Sequence, residues 1–294
     1  MTVRLRVATR GSRLAQWQAN AVGDLLRSCE PNIEIELVVV TTTGDTRTDV
    51  PLHSVGGQGV FVKEIQEAVL AGAADIAVHS AKDLPSSPSP EGLILAAVPL
   101  RGDPRDALVG HRLEDLAPGA TVATGSVRRQ AQLAARRPDL TFIDLRGNID
   151  TRLAKVPDGG AIVMAQAALE RLGLAEHAAE VLGVSTMVPQ VGQGALAVEC
   201  RASDQATQRR LGAIESAVDR GFVDLERAFL AELGGGCDLP VGAHARLDAD
   251  GQVELHAFLA GPADVWRARR NGDLHDPSWA AAMAREGAAA VGLA

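Results

Sequence analysis

Through residues 4–201, short β-rich runs alternate with stretches of helical apolar spacing, and the alternation occurs in two successive sets. The first set runs RLRVAT (4–9), a helical pattern over 12–29 with Ser12 as its N-cap, IEIELVVV (33–40), a helix over 60–72 stopped by Gly72, DIAVHS (75–80) and LILAAV (93–98). The second runs DALVG, TVATGS, a helix over 127–136, TFIDLRG, a helix over 148–155, AIVMA and a further helix. Such alternation of strands and helices predicts parallel sheets covered by helices on both faces.

Two such sets imply two α/β domains, joined near PLRGDPRD (99–106), where proline, glycine and charge cluster. The run ALAVEC (195–200) reads as a return crossing into the first sheet. After about residue 215 the pattern changes: a long helix (219–233) leads to GGGCDLP, then to a hairpin turning at DADG, a last strand and an Ala-rich helix. The expected organisation is a discontinuous first domain (1–98 with 195–212), a second α/β domain (103–190) and a small α+β third domain (217–294).

Composition excludes several classes. With 29 cations against 37 acids the net charge is −8, which argues against nucleic acid as a general partner. No apolar run is long enough to span a bilayer, and the sequence enters a strand pattern at once, so a cytoplasmic protein is expected. Cys29, Cys200 and Cys237 are odd in number and carry no metal-ligand spacing; Cys29 and Cys200 read as small buried hydrophobes. Cys237 differs, because three glycines (234–236) place it in a bare turn.

Ligands of parallel sheets gather beyond the carboxyl ends of the strands. Arg10 and Ser12 fall there after the first strand, and Lys82 and Asp83 after DIAVHS. Arg128 and Arg129 open the helix after TVATGS; Arg146 follows TFIDL, and Arg152 lies on the next helix. Cations are disfavoured at helix N-termini, so their repetition at one edge points to a polyanionic ligand bearing carboxylates or phosphates. Asp83 is the single acid among these cations, suited to stabilising a positive charge or guiding protons. Neither VGGQG (55–59) nor GGGC fits a nucleotide loop, and the polar stretch 43–59 reads as a lid.

The segments ATRGSRLAQWQ, VGGQGVFVKE, DIAVHSAKDLP, DPRDAL, SVRRQAQL, RPDL, LRGNIDTRL, ERLGL, VGQGALAVECR and LGGGCDLPVGAHA occur in this order. Together they resemble the porphobilinogen deaminase family of tetrapyrrole biosynthesis. The resemblance implies two α/β domains like type II periplasmic binding proteins, with mixed, mainly parallel sheets, plus a small α+β C-terminal domain. It implies a covalent dipyrromethane on Cys237, held through a thioether and made from two substrate molecules. Porphobilinogen, a pyrrole with acetate, propionate and aminomethyl groups, loses ammonia to give an electrophile that the bound chain's free α-carbon attacks. After four additions water releases the linear tetrapyrrole.

Carried over by position, the resemblance implies Asp83 as catalytic residue and Lys82, Asp83, Thr124, Ser126, Arg128, Arg129 and Arg146 as cofactor contacts. Arg10, Ser12, Gln18, Arg146, Arg152, Arg171 and Gln193 become substrate contacts, with Phe61 beside the lid. A monomer without metal is implied. Ser54 and Gln58 stand where the lid often carries lysines, Ala81 replaces a larger apolar residue, and Gly125 sits in a stretch usually rich in Ser and Thr. Two other readings stay open: a two-lobed anion-binding protein without catalysis, and a cysteine hydrolase using Cys237 with His244 as base.

Overall fold

The computed structural model describes residues 2–42, 62–99, 101–235, 239–262 and 264–293. The chain divides into two compact units, one of residues 1–102 with 195–221 and one of residues 103–194 with 222–294.

The first unit is built on β1 (Val3–Arg10), β2 (Ile33–Val40), β3 (Ile76–Ser80), β4 (Leu93–Ala97) and β10 (Leu196–Arg201), in the order β2-β1-β3-β10-β4. β1 pairs parallel with β2 and β3, whereas β10 runs antiparallel between β3 and β4. Helix α1 (Arg13–Cys29) forms because Ala15, Ala19, Val22 and Leu26 recur on one face, all buried. Its start is fixed by Ser12, whose Oγ accepts from the Ala15 N–H at 3.3 Å. That face packs on Leu5, Val7, Ile76, Val78 and Val198. Helix α2 (Lys63–Leu70) buries Ile65 and Val69 against Ala8, Ala77 and Leu93, which covers the other face.

The second unit repeats this sheet with β5 (Asp106–Gly110), β6 (Thr121–Ala123), β7 (Thr141–Ile143), β8 (Ala161–Ala165) and β9 (Ala178–Val181). The order is β7-β6-β8-β5-β9, with β5 antiparallel to both neighbours. Both sheets therefore follow one plan, three parallel strands and a fourth reached across an antiparallel one. Their helices are α3 (Val127–Arg136), α4 (Ile149–Leu153) and α5 (Gln166–Arg171), while α6 (Gln205–Gly212) belongs to the first unit.

The remaining elements are α7 (Ala217–Glu232), the meander β11 (Val241–Leu247), β12 (Val253–Ala260) and β13 (Val265–Asn271), and α8 (Ser278–Ala290). Leu225 and Phe229 of α7 and Met283 and Ala284 of α8 bury Leu255, Ala257 and Leu259, and Phe229 stacks on Trp266 at 6.5 Å. This is the mixed α/β class predicted from the sequence. Cys200 is buried, as expected, and burial pushes its thiol up to about 11. Cys29 is exposed, not buried as the sequence suggested, because the helix ends there. No described helix is long and apolar enough to cross a membrane.

Candidate active site

Parallel strands deliver their carboxyl ends to one edge, and in the first unit that edge carries a small pocket. Arg10 ends β1, Ser12 caps α1, and Ser80 ends β3; the 3-10 turn Ala81–Asp83 follows with Lys82 and Asp83. Arg10, Ser12, Gln18, His79, Ser80 and Asp83 line the pocket, over an apolar base that includes Val62, Ile65 and Val78. Gln18, buried one turn into α1, donates its Nε2–H to Ser80 Oγ at 2.8 Å and so ties α1 to β3. Four of the residues singled out in the sequence thus meet in one place, and Lys82 occupies the same turn.

In the second unit the corresponding edge is organised by Asp106, a residue with no role in the sequence reading. An antiparallel strand begins where parallel strands end, so Asp106, first residue of β5, pairs with Ala165, the last of β8. Its carboxylate is fully buried. Arg129 donates to Oδ1 from Nε at 3.0 Å and Nη2 at 2.7 Å, and Arg128 Nη1 lies 2.9 Å from Oδ2. Arg128 and Arg129 also donate to the Val188 and Val163 carbonyls at 2.6 and 2.9 Å. Gln193 donates to Oδ1 at 3.0 Å and to the Pro104 carbonyl at 2.7 Å.

Arg128 and Arg129 are therefore not solvated loop cations. They are 3% and 8% exposed, and the unfavourable placement of two arginines at a helix start is offset by a buried counterion. Burial alone would raise the Asp106 pKa; the charges of Arg128 and then Arg129 outweigh it and hold the carboxyl well below its usual range. Two guanidinium groups share one carboxylate, which leaves one net positive charge. Among the described residues, Arg128 Nε, also buried, has no hydrogen-bond partner. A buried, unused N–H beside uncompensated positive charge fits an anionic group bearing carboxylates, such as dipyrromethane.

The loops on either side complete this edge. Ser126 caps α3 by accepting from the Arg129 N–H at 3.5 Å, and Thr124 Oγ1 accepts from the Ser126 N–H at 3.2 Å. Gly125 departs from the family pattern for a local reason: a Cβ there would lie 2.8 Å from Asp144 Oδ1 and 3.1 Å from the Leu145 carbonyl. Asp144 in turn pairs with Arg146, whose Nε is 3.3 Å from Oδ2. Arg152 Nε donates to the Gly147 carbonyl at 2.8 Å, where Gly147 has φ +118° and a Cβ would strike Thr151. Arg171 Nη2 donates to the Gly194 carbonyl at 2.5 Å, and burial lowers its pKa to about 10, still fully protonated near neutrality.

Phe61, Ser54, Gln58, the stretch read as a lid and Cys237 lie outside the described residues. His244, the base a cysteine hydrolase would need, is 5% exposed with Nδ1 3.2 Å from Glu226 Oε1, while Glu226 also accepts from the Gly192 and Ala245 N–H groups. Asp106, His79 and Glu199 are absent from the candidates that sequence alone suggests. The available signal was an acid within an otherwise apolar strand, in DALVG and in ALAVEC, where burial demands a partner.

Comparison with known proteins gives a consistent result. Residues 5–209 match the family model "Porphobilinogen deaminase, dipyromethane cofactor binding domain", and residues 222–283 match "Porphobilinogen deaminase, C-terminal domain". A porphobilinogen deaminase of Nitratidesulfovibrio vulgaris is 48% identical over 262 residues, 87% of this chain and 82% of its own. One from Roseiflexus castenholzii is 46% identical over 279 residues, 93% and 92% of the two chains. Among solved structures, the methionine binding protein MetQ aligns with TM-score 0.45 and 12% identity, over 72% of this chain and 90% of its own. At this identity over nearly the full length, with both family models matched in order, the chain belongs to the porphobilinogen deaminase family.

Proposed function

We propose that this chain is a hydroxymethylbilane synthase, a transferase that joins four porphobilinogen molecules head to tail with loss of ammonia and releases the linear tetrapyrrole. The observation that carries the chemistry is the Arg128–Asp106–Arg129 cluster, two buried guanidinium groups on one carboxylate, with an N–H on Arg128 that has no partner among the described residues. Dipyrromethane, attached to Cys237 by a thioether, supplies when bound a free pyrrole α-carbon as nucleophile. Around it, Arg128, Arg129 and Arg146 neutralise side-chain carboxylates, with Lys82, Thr124 and Ser126 as further polar contacts.

Asp83 accepts hydrogen bonds from pyrrole N–H groups and offsets the positive charge that develops on the substrate ring as ammonia departs. The same carboxylate takes and returns the proton exchanged between the α-carbon and the leaving amine. Arg10, Ser12, Gln18, Arg152, Arg171 and Gln193 orient incoming acetate and propionate groups, and the resemblance assigns Phe61 to the lid. For Gln193 the role is partly indirect, through the Asp106 carboxylate it already holds.

The division of labour follows the sequence: residues 1–98 with 195–212 carry Asp83, 103–190 the guanidinium cluster, and 217–294 the attachment thiol. The protein acts as a cytoplasmic monomer without metal, nucleic acid or membrane; its net charge of −8 is what speaks against nucleic acid. A non-catalytic anion binder is not favoured, since it gives no purpose to the third domain. Incubation of purified protein with porphobilinogen tests the reading. Expected are ammonia and a linear tetrapyrrole in a ratio of four to one; substrate that remains unconsumed contradicts it.

A further inference from the structure

Beneath the Asp83 pocket lies a polar network that the reaction as described does not use. Glu199 of β10 is fully buried within the run LAVECR. Its carboxylate meets polar side chains from three separate segments. Gln66 Nε2 of α2 donates to both oxygens, at 2.9 and 3.1 Å, and Ser89 Oγ, six residues after Asp83, donates to Oε1 at 2.6 Å. From β3, His79 Nε2 lies 3.2 Å from Oε2, with both side chains almost wholly buried.

His79 and Glu199 share the α2-facing side of the sheet, because Ala197 pairs with His79 and Glu199 with Ala77. His79 is also a wall of the pocket that contains Asp83. Replacing a buried charged cluster by apolar side chains is generally neutral or stabilising, so such a cluster is a poor source of stability. What it provides is geometry. One carboxylate sets the spacing between the end of β3, the segment after the Asp83 turn, and α2. Burial alone would raise the Glu199 pKa; the neighbouring His79, then Ser89 and Gln66, outweigh it and hold it below the ordinary value, so the carboxylate keeps its charge.

We propose that Glu199 is the positioning residue of the Asp83 pocket, acting through His79, Gln66 and Ser89. The proposal rests on the hydroxymethylbilane synthase reading and concerns the step at which Asp83 works. The carboxylate-recognising groups at Arg10 and Ser12 lie on other elements, so substrate affinity should be spared.

The test compares wild type, Glu199→Gln and Ser89→Ala by intact mass, thermal melting and steady-state kinetics with porphobilinogen. In Glu199→Gln an amide N–H faces donors that previously met an oxygen, while shape is conserved. Expected are retention of the dipyrromethane adduct, KM within about twofold and kcat lowered at least about tenfold. Ser89→Ala, which removes one partly exposed donor, should lower kcat about threefold or more, with KM, adduct and melting temperature close to wild type. Wild-type kcat in both variants, or a loss that only follows loss of adduct and of melting temperature, would overturn the role of Glu199. Wild-type protein that itself carries no adduct and makes no tetrapyrrole would instead overturn the reading of the reaction.

Discussion

Asp106 explains a placement that helix electrostatics disfavours, two arginines in the first turn of α3. Asp106→Asn leaves two buried guanidinium groups without their counter-charge and should destabilise the fold by about 3–5 kcal/mol, read from urea unfolding at neutral pH. The sign of the pH dependence follows from the lowered carboxyl pKa. The stabilisation is complete above the unfolded carboxylate value of about 4 and is lost as pH falls through the lower folded value. The difference between wild type and Asp106→Asn should therefore narrow on acidification below about pH 4, and a constant difference would count against the ionised pair. Asp83→Ala should keep the adduct and lose most turnover; near-normal turnover would remove Asp83 from catalysis. At this scale the sequence was half informative. Arg128 and Arg129 stood out by position, but their counterion did not, because Asp106 meets them only through the pairing of β5 with β8.

Single elements were more legible. Ser12 is legible as a helix cap, and its side chain accepts from the N–H three residues on, as that of Ser126 does on α3. The direction of a strand is different, since a run buried on both faces looks the same either way. The antiparallel course of β5 and β10 therefore emerges only from the ladders, and β9, with its partly buried AAEV, gave no clear pattern. A close approach of elements yields a further test. Val188, whose carbonyl accepts from Arg128 and from Gln132 Nε2 at 3.0 Å, lies against β11 at Gly242. A Cβ at Gly242 would be 2.7 Å from the Val188 oxygen and 2.9 Å from the Pro189 oxygen. Gly242→Ala should thus lower stability by about 1–3 kcal/mol, visible as a reduced melting temperature, and an unchanged melt would show that the segment yields freely.

On the proposed function, an acidic protein with a net charge of −8 binds an acidic substrate through cations at its strand ends. Raising salt from 50 to 500 mM, which shortens the Debye length from about 14 to about 4 Å, should raise KM for porphobilinogen several-fold while melting changes little. A KM insensitive to salt would argue against charge as the basis of recognition. The two-set alternation made the paired α/β plan readable, and the expected third domain rested on the change of pattern after about residue 215, from alternation to a long helix and a hairpin. Intact mass of the denatured protein, wild type beside Cys237→Ala, is the most direct check of the chemistry as a whole. Wild type should exceed its sequence mass by one dipyrromethane, and the variant should match its own sequence mass and make no tetrapyrrole. An active wild type of unmodified mass, or a fully active Cys237→Ala, would contradict the covalent anchor.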